Sequence, residues 1–177
     1  MKCIIAAIRT EDDFNKALES EVEIIFDLSP DLLTIENKIK SAHKANKKLF
    51  IHLDLASGIG KDKSGIMYAK QIGADGIIST RVGIIKLAKQ LDMLTVQRFF
   101  VVDSQSVDTT IEAIKNAKPH MIEIMPGLIT KSILKLKQSV SVPIIAGGLI
   151  DDETEVNSAF EAGAFAISTG KHELWMM

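Results

Sequence analysis

Residues 142–170 read Val-Pro-Ile-Ile-Ala-Gly-Gly-Leu-Ile-Asp-Asp-Glu-Thr-Glu-Val-Asn-Ser-Ala-Phe-Glu-Ala-Gly-Ala-Phe-Ala-Ile-Ser-Thr-Gly. The run Val142–Ala146 is too short for a helix and is bounded by Pro143 and by Gly147-Gly148, so it reads as a buried parallel strand. A helix is predicted next. Asp151 or Asp152 caps it, acids fill its first turn, Val156, Ala159 and Phe160 form its apolar face, and Gly163 ends it. A second short strand, 164–167, leads into Ser168-Thr169-Gly170. Two adjacent parallel strands that end in small residues offer free backbone N–H groups as an anion nest. In a (β/α)8 barrel, the loops after the last two strands are where a phosphate is held.

The same strand–helix alternation extends back to the start. Strands are predicted over 2–8, 22–28, 48–55, 76–79, 93–101 and 120–125. Helices are predicted over 11–20, 30–45, 66–72, 82–90, 106–117 and 128–138, the fifth capped by Ser104 or Ser106. Together with the opening stretch this makes eight strands, implying an α/β fold with a parallel sheet. Eight repeats allow closure into a compact (β/α)8 TIM-type barrel, which removes the sheet edges. An open doubly wound sheet is the alternative. No linker or shift in composition divides residues 1–177, so a single barrel domain is expected. Only Lys171–Met177 follow the last strand, so the last helix is truncated. The groove this leaves is expected to be filled partly by the tail around Trp175 and partly by a homodimer contact.

The totals exclude several classes. Hydrophobic residues make up 46% and charged residues 25%, the mixture of a soluble globular chain. A net charge of −2 gives no global pull toward nucleic acid or anionic lipid. Cys3 is the sole cysteine, which rules out an intrachain disulfide and suits a reducing compartment. No apolar run approaches the roughly 20 residues of a membrane span, so a cytoplasmic location without a membrane partner is expected.

Arginine is the sharpest chemical signal outside the nest. Of 21 basic residues only Arg9, Arg81 and Arg98 are Arg. All three fall near the C-terminal end of a predicted strand, where a planar fork suits a phosphate or carboxylate. In the third strand, alternation puts Phe50, His52 and Asp54 on one face. That pair could serve as a general base, bind polyol hydroxyls or ligate a metal. Alternatively, His52 is a buried structural histidine and Asp54 bonds amides of the next loop. A metal would need Glu123 as a third ligand. Glu123 lies in an apolar strand and needs a buried partner, for which Arg98 is the natural choice. Lys38, Lys40, Lys44, Lys47 and Lys48 are either a solvated helix face or a basic strip for phosphate backbones.

Several motifs together resemble one family. They are His52-Leu-Asp-Leu55, Gly76-Ile-Ile-Ser-Thr-Arg81, Gln97-Arg-Phe-Phe-Val-Val-Asp-Ser104, Ile122-Glu-Ile-Met-Pro-Gly127 and Pro143-Ile-Ile-Ala-Gly-Gly-Leu-Ile150, with Ser168-Thr-Gly170 and Trp175. The chain resembles the glycerol-3-phosphate-responsive antiterminators, regulators of bacterial glycerol uptake operons. The resemblance implies a barrel that binds glycerol 3-phosphate as effector and then binds leader mRNA to prevent termination. It implies no catalysis, no metal and no cofactor. Gly147, Gly148, Thr169 and Gly170 would hold the phosphate, and His52, Asp54, Arg81, Arg98 and Glu123 would line the rest of the pocket. The rival reading is an isomerase or lyase acting on a small phosphorylated polyol or sugar.

Overall fold

The structure, a computed structural model, describes residues 3–177. Eight parallel strands close into a barrel in sequence order: β1 Cys3–Ile8, β2 Ile24–Asp27, β3 Lys48–His52, β4 Gly76–Ser79, β5 Leu94–Phe100, β6 Met121–Met125, β7 Ile144–Gly147 and β8 Ala166–Thr169. Pairing of β8 with β1, with Cys3 opposite Ala166 and Ala6 opposite Thr169, completes the ring. The helices are α1 Glu11–Glu19, α2 Ile35–Lys44, α3 Lys63–Gln71, α4 Val82–Gln90, α5 Ser104–Ala117, α6 Thr130–Ser139 and α7 Glu153–Glu161. The expected TIM-type barrel is therefore the observed one. Lys2, expected at the start of the first strand, lies outside the described residues. No helix among the described residues is long and apolar enough to cross a membrane.

Strand alternation sorts the apolar residues into two cores. Ile5, Phe26, Phe50, Val96, Ile145 and Ala166 fill the barrel interior. Ile25, Leu49, Ile51, Ile77 and Ile122 face the other way and pack under the helices. The interior is filled by matching large residues to small ones. The Phe26 and Phe50 rings lie 5.5 Å apart, and a Cβ on Gly76 would fall 2.3 Å from the Phe50 ring. Only glycine leaves room for that ring at this level.

Local chemistry explains where boundaries moved. Helix α2 begins at Ile35 rather than Pro30, because Ser57 N donates to Pro30 O at 2.8 Å and Leu32 N to Ser57 O at 3.0 Å. That short bridge holds 30–32 against the next loop and leaves Leu33 87% exposed. Strand β3 stops at His52, and Leu53–Leu55 form a 3-10 turn. Helix α5 is capped by Asp103, whose side chain accepts from Ser106 N at 2.7 Å, rather than by either serine. Asp152 caps α7, one of the two expected residues.

The tail takes the place of an eighth helix. His172–Met176 form a 3-10 turn that buries Leu174 and Trp175. Trp175 Nε1 donates to Thr169 O at 2.8 Å, and His172 Nε2 lies 2.8 Å from Asp13 Oδ1 on α1. The groove left by the truncation is thus occupied by the chain's own Trp175, 1% exposed.

Candidate functional site

The inward faces of the strands turn polar toward their C-terminal ends. On β5 the inward order is Val96, then Arg98; on β6, Met121, then Glu123; on β8, Ala166, then Ser168. Arg98 and Glu123 are register partners. Arg98 Nε donates to Glu123 Oε2 at 2.6 Å, with the two residues 5% and 0% exposed. Ser168 Oγ donates to Glu123 Oε1 at 2.5 Å from β8, one strand beyond β7. Both carboxylate oxygens are thus engaged, as burial of a charge requires. Arg98 keeps its terminal N–H groups for another acceptor.

Gly147 makes this network possible. A Cβ there would sit 2.6 Å from both Glu123 Oε1 and Ser168 Oγ. The structure therefore gives Gly147 a packing reason for lacking a side chain, and it stands behind the cavity wall. Gly148 and Leu149 both adopt positive φ, +74° and +60°, and turn the chain sharply out of β7. Thr169 uses its hydroxyl internally, donating to Ile150 O at 2.9 Å and accepting from Lys171 N at 3.1 Å. It fastens the β8 end to the β7–α7 loop. Gly170 is exposed, and the nearest atom to an added Cβ would be Ala7 O at 3.5 Å.

These groups meet at a cavity of about 660 Å³ in the barrel mouth. Its wall includes Arg98, Glu123 and Ser168 below, Gly148–Asp151 and Thr169–Lys171 at one side, and Arg9 at the rim. Lys171 Nζ lies 3.5 Å from Asp151 Oδ1 across that side. Sequence reasoning singled out Arg9 as an arginine at a strand end but did not place it in the pocket. Ser168 it read only as part of the anion nest, without its bond to Glu123, and Lys171 it missed. Alternation from Ala166 on β8 was the signal that could have placed Ser168 inward.

The other expected pocket residues separate. His52 points inward on β3 but lies outside the cavity lining, 2% exposed, with Nδ1 lacking a partner. Burial, and secondarily the Arg98 charge, lower its pKa to about 4, so the imidazole is neutral at pH 7. Asp54 does not share its face, because the 3-10 turn begins between them. Asp54 instead accepts from Ser79 Oγ at 2.7 Å, Thr80 N at 2.7 Å and Thr80 Oγ1 at 2.9 Å. Burial raises its pKa, yet the Thr80 amide and the two hydroxyls outweigh that and hold it below the usual carboxylate value. The alternative in which Asp54 bonds the next loop is thus the observed one. Arg81 is exposed and 3.9 Å from Asp54, so it stands on a neighbouring rim. His52, Asp54 and Glu123 do not converge as a metal triad, and among the described residues no cluster of three such groups forms.

The basic strip on α2 is broken up. Lys38 is buried, 3.3 Å from Asp27 Oδ2. Lys47 is buried and donates to Ser20 O and Val22 O. Lys40 pairs with Glu36. Only Lys44 and Lys48 of the five remain exposed without such a partner among the described residues.

Comparison with known proteins agrees with this geometry. The uncharacterized protein YgcP of Escherichia coli K12 is 34% identical over 175 residues, 98% of this chain and 92% of that protein. A crystal structure of the glycerol uptake operon antiterminator regulatory protein of Listeria monocytogenes superposes with a TM-score of 0.92 at 35% identity, covering 98% of this chain and 94% of that one. A glycerol uptake operon antiterminator-related protein of Thermotoga maritima superposes at 0.89 with 30% identity, covering 99% of each chain. Residues 4–175 match the family model described as glycerol-3-phosphate responsive antiterminator, and with that span covered the chain belongs to the glycerol-3-phosphate responsive antiterminator family.

Proposed function

We propose that this barrel senses glycerol 3-phosphate in the mouth cavity and, when loaded, binds leader mRNA of glycerol uptake genes to prevent termination. The observation that carries the sensing half is the Arg98–Glu123–Ser168 network exposed at the floor of a cavity whose side is backbone from β7 and β8. Backbone N–H groups around Gly148 and Gly170, with Arg9 at the rim, suit a phosphate. The free N–H groups of Arg98 and the remaining lone pairs of Glu123 suit the two hydroxyls of the glycerol end. The reading needs no cofactor and no catalysis. It describes a cytoplasmic regulator whose loaded state has the higher affinity for RNA, which requires the ligand to bind that state more tightly.

Thermal melts test the sensor. At about 100-fold over the dissociation constant, binding adds roughly 2.7 kcal/mol, a midpoint shift of roughly 5–10 °C for a chain of this size. Glycerol 3-phosphate should produce it, while glycerol and inorganic phosphate should not. No shift at millimolar ligand would remove the metabolite. A gel shift with leader RNA tests the rest: equal affinity with and without glycerol 3-phosphate would reject the gating.

The rival reading is an isomerase or lyase working on a phosphate ester with His52 or Glu123 as base, of which Glu123 lines the cavity. Turnover across a panel of phosphorylated trioses and sugars, lost in Glu123→Gln, would support it.

A further inference from the structure

The fold polarises charge along the barrel axis. Every helix runs back against the strands, so helix N-termini ring the mouth and C-termini ring the opposite end, the floor. Helix dipoles favour acids at the first and bases at the second. The sequence follows suit: Glu11, Asp12 and Asp13 open α1 and Glu153 and Glu155 open α7, while Lys44, Lys70, Lys89, Lys115 and Lys137 lie in the last turns of α2 to α6. The mouth is therefore acidic on the side of α7, α1 and α2, where a polyanion is repelled, while the first turns of α3 to α6 carry no acid and Lys61, Lys63 and Lys131 stand at that end.

The floor is not uniform. Where α1 leads to β2 it carries Glu19, Glu21 and Glu23, against the dipole preference. From α2 round to α6, Asp75 is engaged by His43 and the Leu49 amide and Glu112 by Lys115, while exposed Asp92 has no hydrogen-bond or ion-pair partner among the described residues. The basic arc is continuous. Lys70 Nζ donates to Leu91 O at 2.6 Å, from the end of α3 to the end of α4, and Lys89 reaches Lys118 O, from α4 to α5. An ammonium has three donors, so each retains some for an outside anion. Lys44, Lys48, Lys118 and Lys137 are exposed, and among the described residues their ammonium groups have no hydrogen-bond or ion-pair partner. Dipole compensation accounts for one base per helix end. It does not account for Lys48 and Lys118, which lie beyond the helices, or for the reversal at α1.

We infer that the floor arc from α2 to α6, at the end of the barrel opposite the metabolite cavity, takes the phosphate backbone of single-stranded RNA. This rests on the RNA-binding reading above and adds where the RNA lies. Effector and RNA then occupy opposite ends of the same strands. β5 and β6 carry Arg98 and Glu123 at the mouth, and toward the floor they are joined by Thr95 Oγ1 and His120 Nδ1, 3.0 Å apart.

The test is fluorescence anisotropy with a labelled mixed-sequence RNA of about 30 nucleotides, between about 50 and 200 mM salt, with glycerol 3-phosphate present. Three proteins are compared: the wild type, a floor triple Lys44→Glu/Lys48→Glu/Lys118→Glu, and a mouth triple Lys61→Glu/Lys63→Glu/Lys131→Glu. The floor triple should bind roughly tenfold or more weakly, with a log–log salt slope shallower by roughly 2, since each single-strand phosphate contact contributes roughly 0.7. The mouth triple should match the wild type, and both triples should keep the melting shift with glycerol 3-phosphate. A floor triple that binds like wild type overturns the inference and leaves the RNA reading standing. So does one whose only change is a lower mass by light scattering, which would assign the arc to self-association. A wild type that binds no RNA at any salt overturns both.

Discussion

Arg98 Nε and Glu123 Oε2 stand 2.6 Å apart on neighbouring strands, both side chains closed off from solvent except where they face the mouth cavity. Removing one member strands the other as an uncompensated buried charge, at a cost of about 3–5 kcal/mol. Arg98→Met should therefore lower the melting midpoint by roughly 6–20 °C, at about 2–4 °C per kcal/mol for this size. Arg98→Met/Glu123→Leu should lose less than the sum of the single variants. Additive losses in thermal melts would show that the two groups are not coupled. Both single variants should also lose the response to glycerol 3-phosphate.

Gly147 and Gly170 make a matched pair of tests. Gly147→Ala places a methyl 2.6 Å from Glu123 Oε1 and Ser168 Oγ, so the network must move. The expected cost is about 1–3 kcal/mol, together with a weaker ligand response. Gly170→Ala meets nothing closer than 3.5 Å and should change stability by less than about 0.5 kcal/mol. Chemical denaturation of the two variants separates them, and equal costs would contradict the packing described for Gly147.

His52 sets a pH dependence. Its folded pKa is lowered to about 4, first by burial and then by the Arg98 charge. The unfolded chain takes up a proton near pH 6.5 that the folded chain refuses until about pH 4. Stability is therefore full above about pH 6.5 and falls as the pH drops toward 4, by about 3 kcal/mol for a shift of this size. The difference in melting between wild type and His52→Gln should narrow or invert between pH 7 and pH 4.5. A parallel pH profile for the two proteins would show that His52 is not the source. Asp13, lowered to about 2, acts in a separate window: burial alone would raise it, but the Arg9 amide, His172 and Thr10 outweigh that, and its contribution is lost only below about pH 4.

Trp175 should be the costliest residue in the tail. Trp175→Ala removes a fully buried ring and the bond to Thr169 O, for about 3–5 kcal/mol. Trp175→Phe keeps most of the ring and leaves that carbonyl unpaired, for about 1–3 kcal/mol. Thermal melts that rank the two equally would show the hydrogen bond to be the whole contribution.

The barrel was legible because its signals are local. Short β-rich runs alternate with amphipathic helices, and turn residues separate them. The buried Arg98–Glu123 pair was legible for a different reason, since a carboxylate inside Met121-Ile122-Glu123-Ile124-Met125 demands a cation. The His52–Asp54 face was not legible. Strict alternation held only while the strand lasted, and a 3-10 turn one residue later carried Asp54 to the Ser79–Thr80 loop. The lysine strip failed similarly, because a run in sequence does not say which stems a neighbouring carboxylate or carbonyl will draw inward, as Asp27 draws Lys38. The basic arc on the floor was invisible for the opposite reason: its members are scattered along the chain and meet only through the ring of helix ends.

The contact between His172 and Asp13 joins residues 159 positions apart. With β8 paired to β1 and the tail laid over α1, the first elements made by the ribosome stay incomplete until the last have emerged. Such distant pairing makes for slow folding. The nascent chain therefore carries half a binding cavity, because Arg9, just after β1, waits for Gly170 and Lys171 after β8. Metabolite binding at this cavity, as proposed above, therefore requires the whole barrel to be closed.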